Sequence, residues 1–118
     1  MSIFAYTETA LTHFTDLLHD LYFALPRENF IPQAGVISIQ LFDKDRILRK
    51  EVVSEFRCSI YEVTSCEMVG DPKRCPDPVF FNLFQYNRKK GVLVLKACSP
   101  LQVKFYVKNL HLELDQLG

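Results

Sequence analysis

Residues 35–63 constrain this chain more than any other stretch. Leu48, Lys50, Val52, Ser54, Phe56, Cys58 and Ile60 alternate with Arg49, Glu51, Val53, Glu55, Arg57 and Ser59. The first series is mostly apolar and the second mostly charged. A helix turns about 100° per residue and would scatter both series around its axis; period two sorts them onto the two faces of a strand with one wet side. Just upstream, residues 35–42 are rich in branched and aromatic side chains, and Ile37, Ile39 and Leu41 share one face. Asp43-Lys44-Asp45 between the runs is turn material. Two alternating runs around a short polar turn predict an antiparallel ribbon.

The rest of the composition sets the class. At 118 residues the chain has the length of a single globular domain, residues 1–118, and 48% hydrophobic residues are enough for a packed core. Lys and Arg balance Asp and Glu at 14 each. Sequence-independent nucleic-acid binding runs on counterion release by excess cations, so a neutral chain is a poor candidate for it. Neutrality also gives little repulsion between copies, which favours association. No stretch approaches the roughly 18 consecutive apolar residues of a membrane span. The first residues carry neither a basic region nor a long apolar one, so no secretory signal is expected and the location expected is intracellular, cytoplasmic or nuclear. Four Cys in that setting read as thiols rather than a disulfide framework.

In chain order, residues 7–25 read as an amphipathic helix. Leu11, Phe14, Leu18, Leu21 and Leu25 follow three-four spacing, Thr7 is placed to cap and Pro26 to stop. Burial of that stripe on a sheet is the ordinary use; packing on a partner is the alternative. Residues 26–33 read as a connection. Residues 63–78 read as a long irregular loop, because Gly70, Pro72, Pro76 and Pro78 deny it regular structure. Residues 79–86 fit either a helix opened by Asp77-Pro78 or an aromatic-rich strand; the strand is favoured, with residues 87–91 as its hairpin loop. Residues 91–97 form a short continuous apolar run, expected to be a central strand.

Residues 101–117 carry two conflicting codes. Ser99, Pro100 and Gln102 would open a helix, but Leu101, Phe105 and Leu112 would then lie opposite its apolar stripe. A hairpin turning at Lys108-Asn109 instead puts Val103, Phe105, Val107, Leu110, Leu112 and Leu114 on one face. The hairpin is the expectation, with residues 110–114 as an exposed edge strand. Leu110, Leu112, Leu114 and Phe105 are therefore the candidate protein interface.

Motifs for chemistry are sparse. Cys58, Cys66, Cys75 and Cys98 show no paired zinc-ligand spacing, and His13, His19 and His111 show no zinc pattern either. Cys66 and Cys75 are candidates for a loop disulfide in an oxidising setting. Nucleophile-elbow, phosphate-loop and dinucleotide signatures are absent from the sequence. Neither a catalytic residue, a metal nor a cofactor is expected. Arg46, Arg49 and Lys50 near one turn, and Arg88, Lys89 and Lys90 near another, are candidates for an anion or nucleic-acid site if both turns lie at one end of the sheet. The expected fold is α+β: one N-terminal amphipathic helix packed on an antiparallel sheet of about five or six strands. The expected function is a small non-enzymatic protein-interaction subunit, adaptor or accessory factor, acting as a dimer or within a complex. The alternative is an RNA- or nucleic-acid-binding module using the basic turns, with Phe42 and Tyr86 nearby.

Overall fold

Two long antiparallel stretches, 55–69 and 102–116, carry the architecture. The structure, a computed structural model, describes residues 2–19, 21–23, 32–42, 55–71, 79–97 and 101–117. Its elements in chain order are β1 (Ser2–Ala5), α1 (Glu8–Leu18), β2 (Tyr22–Phe23), β3 (Ile37–Phe42), β4 (Glu55–Ile60), β5 (Val63–Val69), β6 (Val79–Asn87), β7 (Val92–Ala97), β8 (Gln102–Val107) and β9 (Leu112–Gln116). One N-terminal helix packs on a large antiparallel sheet. The described strands run in the order β1-β9-β4-β3-β2-β6-β7-β8-β5.

Among the described residues, nine strands replace the expected five or six. The six read from the sequence are all present, and three others were missed. β1 lies in the first few residues. β2 lies where the helical stripe reads on through Leu21, Tyr22 and Phe23. β5 lies in what was taken for a loop. The prolines there all follow Gly70, so nothing prevents 63–69 from pairing.

The helix starts as expected: the Thr7 hydroxyl accepts the Ala10 N–H at 3.2 Å, and Glu8 occupies the first turn. It ends at Leu18 rather than at residue 25, with His19 already in extended backbone. The chain then gives up helical bonds to link the sheet: Tyr22 pairs with Phe42 on one side and Phe80 on the other. Phe23 is fully buried at that junction. Leu11, Phe14 and Leu18 bury the helix's apolar stripe, and α1 lies against β6 and β1. The helix packs on the sheet of its own chain, the ordinary use of such a stripe.

The ribbon forms with the expected faces inward, but its register is not set by a turn at Asp43-Lys44-Asp45: Phe42 pairs with Glu55, and residues 43–54 lie outside the described residues. Ile37 pairs with Ile60, Ile39 with Cys58 and Leu41 with Phe56. Ile37, Ile39, Leu41, Cys58 and Ile60 are buried, while Arg57 is exposed. β6 is a strand, and it pairs with β7 from Asn87 opposite Val92. That hairpin loop and the interior position of β7 match the sequence reading.

The C-terminal stretch is extended, not helical, and its apolar side chains share one face: Val103, Phe105, Val107, Leu110, Leu112 and Leu114 are all buried. It is not a hairpin, however. β8 pairs with β7 and β5, and β9 with β4 and β1. Cys58 opposite Leu114 and Cys66 opposite Phe105 belong to nearly the same antiparallel register, carried through a bend. Stretch 102–116 thus runs beside 55–69 for its whole length, and both turn a corner together. Strands that change sheets at a bend are how two packed sheet layers share a corner. Alternation in 102–116 reports which side chains face inward; a hairpin and a bent strand have the same alternation, so the pattern could not choose between them.

The corner is stitched across both strands. Tyr61 N–H donates to the His111 carbonyl at 2.9 Å, and Lys108 N–H to the Glu62 carbonyl at 3.1 Å. Glu62 sits at φ 57°, an unfavourable left-handed position for a residue with a side chain. Its carboxylate also accepts from the Asn109 side-chain amide at 3.3 Å. Both halves of the sheet contribute to one core, with Ile60, Leu112 and Leu114 from one end and Leu93, Val103 and Phe105 from the other.

Candidate functional site

The residues read from sequence as an interface do not form one on this chain's surface. Phe105, Leu110, Leu112 and Leu114 are 0–8% exposed and belong to the core. β9, expected at the edge, lies between β1 and β4. The reason is the corner: had β9 folded back on β8, it would have lain outside it. Instead it turns away and is enclosed.

Among the described strands, the sheet's edges are β1 and β5. The backbone phase of β5 follows from its neighbours. Val107 N–H donates to the Gly91 carbonyl at 2.9 Å, on the β7 side of β8. Successive residues in a strand point their backbone groups to opposite sides, so Tyr106 and Lys104 point theirs toward β5. The Tyr106 carbonyl accepts the Thr64 hydroxyl at 3.0 Å, which agrees. Ser65 and Glu67, paired with Tyr106 and Lys104, therefore spend their N–H and C=O groups in the ladder. Cys66 and Met68 direct theirs to the open side. Their side chains lie on the core-facing side, opposite Phe105 and Val103, and are half-buried. The register shifts between Val63 and Ser65, a bulge around Thr64.

β1 is a different kind of edge. Its Ile3 and Ala5 pack inward while Phe4, and Tyr6 just past the strand's end, point out, 45% and 58% exposed. His111 is sandwiched between Tyr6 and Tyr61, with ring centroids 4.7 Å and 4.4 Å away. Phe4 completes the cluster at 6.2 Å from His111. The Tyr61 hydroxyl donates to Glu113 Oε1 at 2.6 Å, and this bond, with burial and the nearby Glu113 and Asp115 charges, raises the Tyr61 pKa. Ser2 bonds the Asp115 carboxylate, which also meets Arg57 at 3.7 Å. The sequence reading found no zinc pattern at His111 and gave it no further role. The period-two alternation of Ser2 to Tyr6 was the signal that would have placed two aromatic rings beside it.

Arg88, Lys89 and Lys90 occupy the exposed β6–β7 turn, held by a Lys90 N–H bond to Asn87 Oδ1 at 3.2 Å. A cleft of about 690 Å³ opens between this turn and the start of α1, with Leu11, Phe84 and Tyr86 among its walls and Arg88, Lys89 and Glu8 around it. Glu8 opposes the two cations, so the cleft presents both signs of charge. Arg46, Arg49 and Lys50 lie outside the described residues. β3 and β6 are each antiparallel to β2, so both run toward the same end of the sheet.

Cys66 is a free thiol, not a loop residue but the centre of β5; Cys75 lies outside the described residues. Burial pushes the Cys66 thiol up to about 11 and Cys58 up to about 12. Both are protonated at neutral pH and therefore weak nucleophiles and weak metal ligands. Among the described residues, no three His, Cys, Asp or Glu side chains gather as a metal site, and no helix is long and apolar enough to cross a membrane. No family model, curated protein or solved structure matches this chain.

Proposed function

We propose that this protein is a small non-enzymatic interaction subunit, intracellular, that works as a dimer or within a complex by accepting a partner strand on the open edge of β5. One observation carries the reading. β5 is a seven-residue edge strand without Pro or Lys, and its outward backbone groups at Cys66 and Met68 have no partner strand among the described residues. Proteins commonly blunt such edges with proline, lysine, or a short strand. An edge left open is a template on which main-chain hydrogen bonds supply affinity and alternate side-chain positions supply selectivity.

The test is amide hydrogen exchange in the presence and absence of association. Strand addition protects the Cys66 and Met68 amides, while Ser65 and Glu67, already bonded to β8, change little. Binding that leaves those two amides exchanging freely would reject the edge as the site.

A second reading, a nucleic-acid module, is supported by Arg88 and Lys89 beside Tyr86 on one cleft, an aromatic with nearby cations. A chain bound to RNA at low salt and released at higher salt, with Arg88→Ala and Lys89→Ala each flattening that dependence, is its expected signature. The balanced charge of the chain and the Glu8 carboxylate on the same cleft favour the first reading.

A further inference from the structure

We propose that the strand β5 accepts is the β5 of a second copy, paired antiparallel about a two-fold axis through Cys66. This rests on the reading of β5 as a strand-accepting edge and goes further by naming the occupant and its register.

The register follows by elimination. In an antiparallel pair, a residue whose backbone groups point outward must face another that does the same. For two identical strands with Cys66 and Met68 outward, the axis passes through residue 65, 66, 67 or 68. An axis at Ser65 runs the pairing into the bulge around Thr64 and the bend at 61–62. One at Met68 sets Cys66 against Gly70, whose φ of 108° ends the strand. One at Glu67 puts two carboxylates directly opposite each other, which is unfavourable.

An axis at Cys66 avoids the bend, Gly70 and the facing carboxylates, and only its outermost pair, Met68 opposite Thr64, meets the bulge. Cys66 faces Cys66 of the other copy in a hydrogen-bonded pair. Glu67, which is the only charged residue of β5, faces the Ser65 hydroxyl of the other copy, a ready donor. That pair occurs twice, once on each side of the axis. On the core-facing side, the half-buried Cys66 and Met68 of each copy extend one apolar row across the junction. The ladder is short, so the dimer forms reversibly.

Charge at Ser65 tests the register without disturbing the core, because Ser65 is exposed. Ser65→Lys tightens the dimer and Ser65→Glu loosens it, each by about three- to tenfold since the pair occurs twice. Sedimentation equilibrium of the full chain reads both. Trapping gives a second measure. In a chain with Cys75→Ser and Cys98→Ser, the oxidant diamide in mildly alkaline buffer joins two Cys66 thiols, losing their hydrogens to its N=N bond. The crosslinked dimer disappears with Cys66→Ser. If a Cys66→Ser, Glu67→Cys chain, which like its parent keeps the buried Cys58, crosslinks equally well, the Cys66 axis is wrong. A chain that stays monomeric at all concentrations, yet whose Cys66 and Met68 amides are protected by a peptide of alternating threonine and valine, overturns the second copy but keeps the strand-accepting edge. A monomer with no protection by that peptide overturns both.

Discussion

The two edges of the sheet among the described strands differ in what they present. β1 is four residues long and shows the solvent rings: Phe4, with Tyr6 just past the strand's end, is exposed, and Tyr6 packs on His111. β5 is seven residues long and its Cys66 and Met68 backbone groups find no partner strand among the described residues, while the Cys66 and Met68 side chains stay half-buried on the core-facing side. A short edge offers few ladder bonds, and side chains folded onto a neighbour tie it down. A longer edge with one charge offers a template. The difference teaches that edge exposure alone does not make an interaction site; length and the destination of the side chains decide.

The comparison breaks hardest where the edges draw support. β1 is held by β9, and Leu112 of β9 is fully buried opposite both Ala5 and Ile60. Leu112→Lys forces a charge into that core. Burying an unpaired charge together with losing the leucine's packing is expected to cost about 4 kcal/mol or more, comparable to the whole stability of a small domain. His111→Lys, next in sequence but half-exposed, is expected to cost about 1 kcal/mol, the worth of its ring contacts. Urea unfolding of the two variants reads the contrast; equal losses would mean the inward phase of β9 is wrong.

The support of β5 is tested at Gly91. Its φ is 63°, and a Cβ there would stand 3.0 Å from the Val107 carbonyl oxygen. The Gly91 carbonyl also accepts the Val107 N–H. Gly91→Ala is therefore expected to cost about 1–2 kcal/mol from left-handed backbone strain, with crowding against β8 added. Loss of protection should concentrate on the Val107 amide and the β8–β5 ladder and spare β1, a pattern that hydrogen exchange resolves.

How much of this was legible in the sequence divides along physical lines. Alternation of polar and apolar groups reports which face a side chain takes, and it placed Ile37, Cys58, Phe105 and Leu112 inward correctly. It does not report which strand lies alongside. That is decided by the corner at Glu62, where a left-handed residue is held by Lys108 and Asn109 from far along the chain. No local rule marks a glutamate for that conformation. The candidate interface failed for the same cause: an edge is a property of strand order, and strand order is set by long-range bonds. β5 was lost for a local reason, since the prolines of 72–78 coloured the reading of 63–69. The helix ended early because Tyr22 and Phe23 fit a helical stripe and a strand equally well, and only pairing on both sides decides between them.

A smaller effect separates the edges by their side chains. Tyr6→Ala removes a ring from the β1 cluster but nothing from the core. It is expected to cost about 0.5–1.5 kcal/mol, the worth of an aromatic pair, and to speed amide exchange in β1 while leaving β5 unchanged. Slowed or unchanged exchange in β1 would mean that the ladder with β9 alone holds the strand.

The smallest effect is a titration, and it tests whether the β1 cluster is anchored from below. Tyr61 stacks under His111 at the corner and donates its hydroxyl to Glu113. That bond exists only with the phenol protonated, and burial and the Glu113 and Asp115 charges also oppose the phenolate, so the folded protein holds the Tyr61 pKa above its ordinary 10.0. The sign of the linkage follows. A neutral form favoured by folding contributes stability that is fully present below the unfolded value near 10 and lost as pH rises through the folded value. Alkaline titration should therefore weaken the corner and the β1 cluster before it affects β5, whose ladder involves no bond to Tyr61. Glu113→Gln removes both the carboxylate acceptor and its charge, and should bring the Tyr61 transition down toward 10 and flatten the alkaline loss of stability. Phenolate absorbance against pH measures the first and unfolding midpoints against pH the second. A Tyr61 transition unmoved by Glu113→Gln would show that Glu113 does not hold the hydroxyl, and the β1 edge would then owe its order to ring stacking and the β9 ladder.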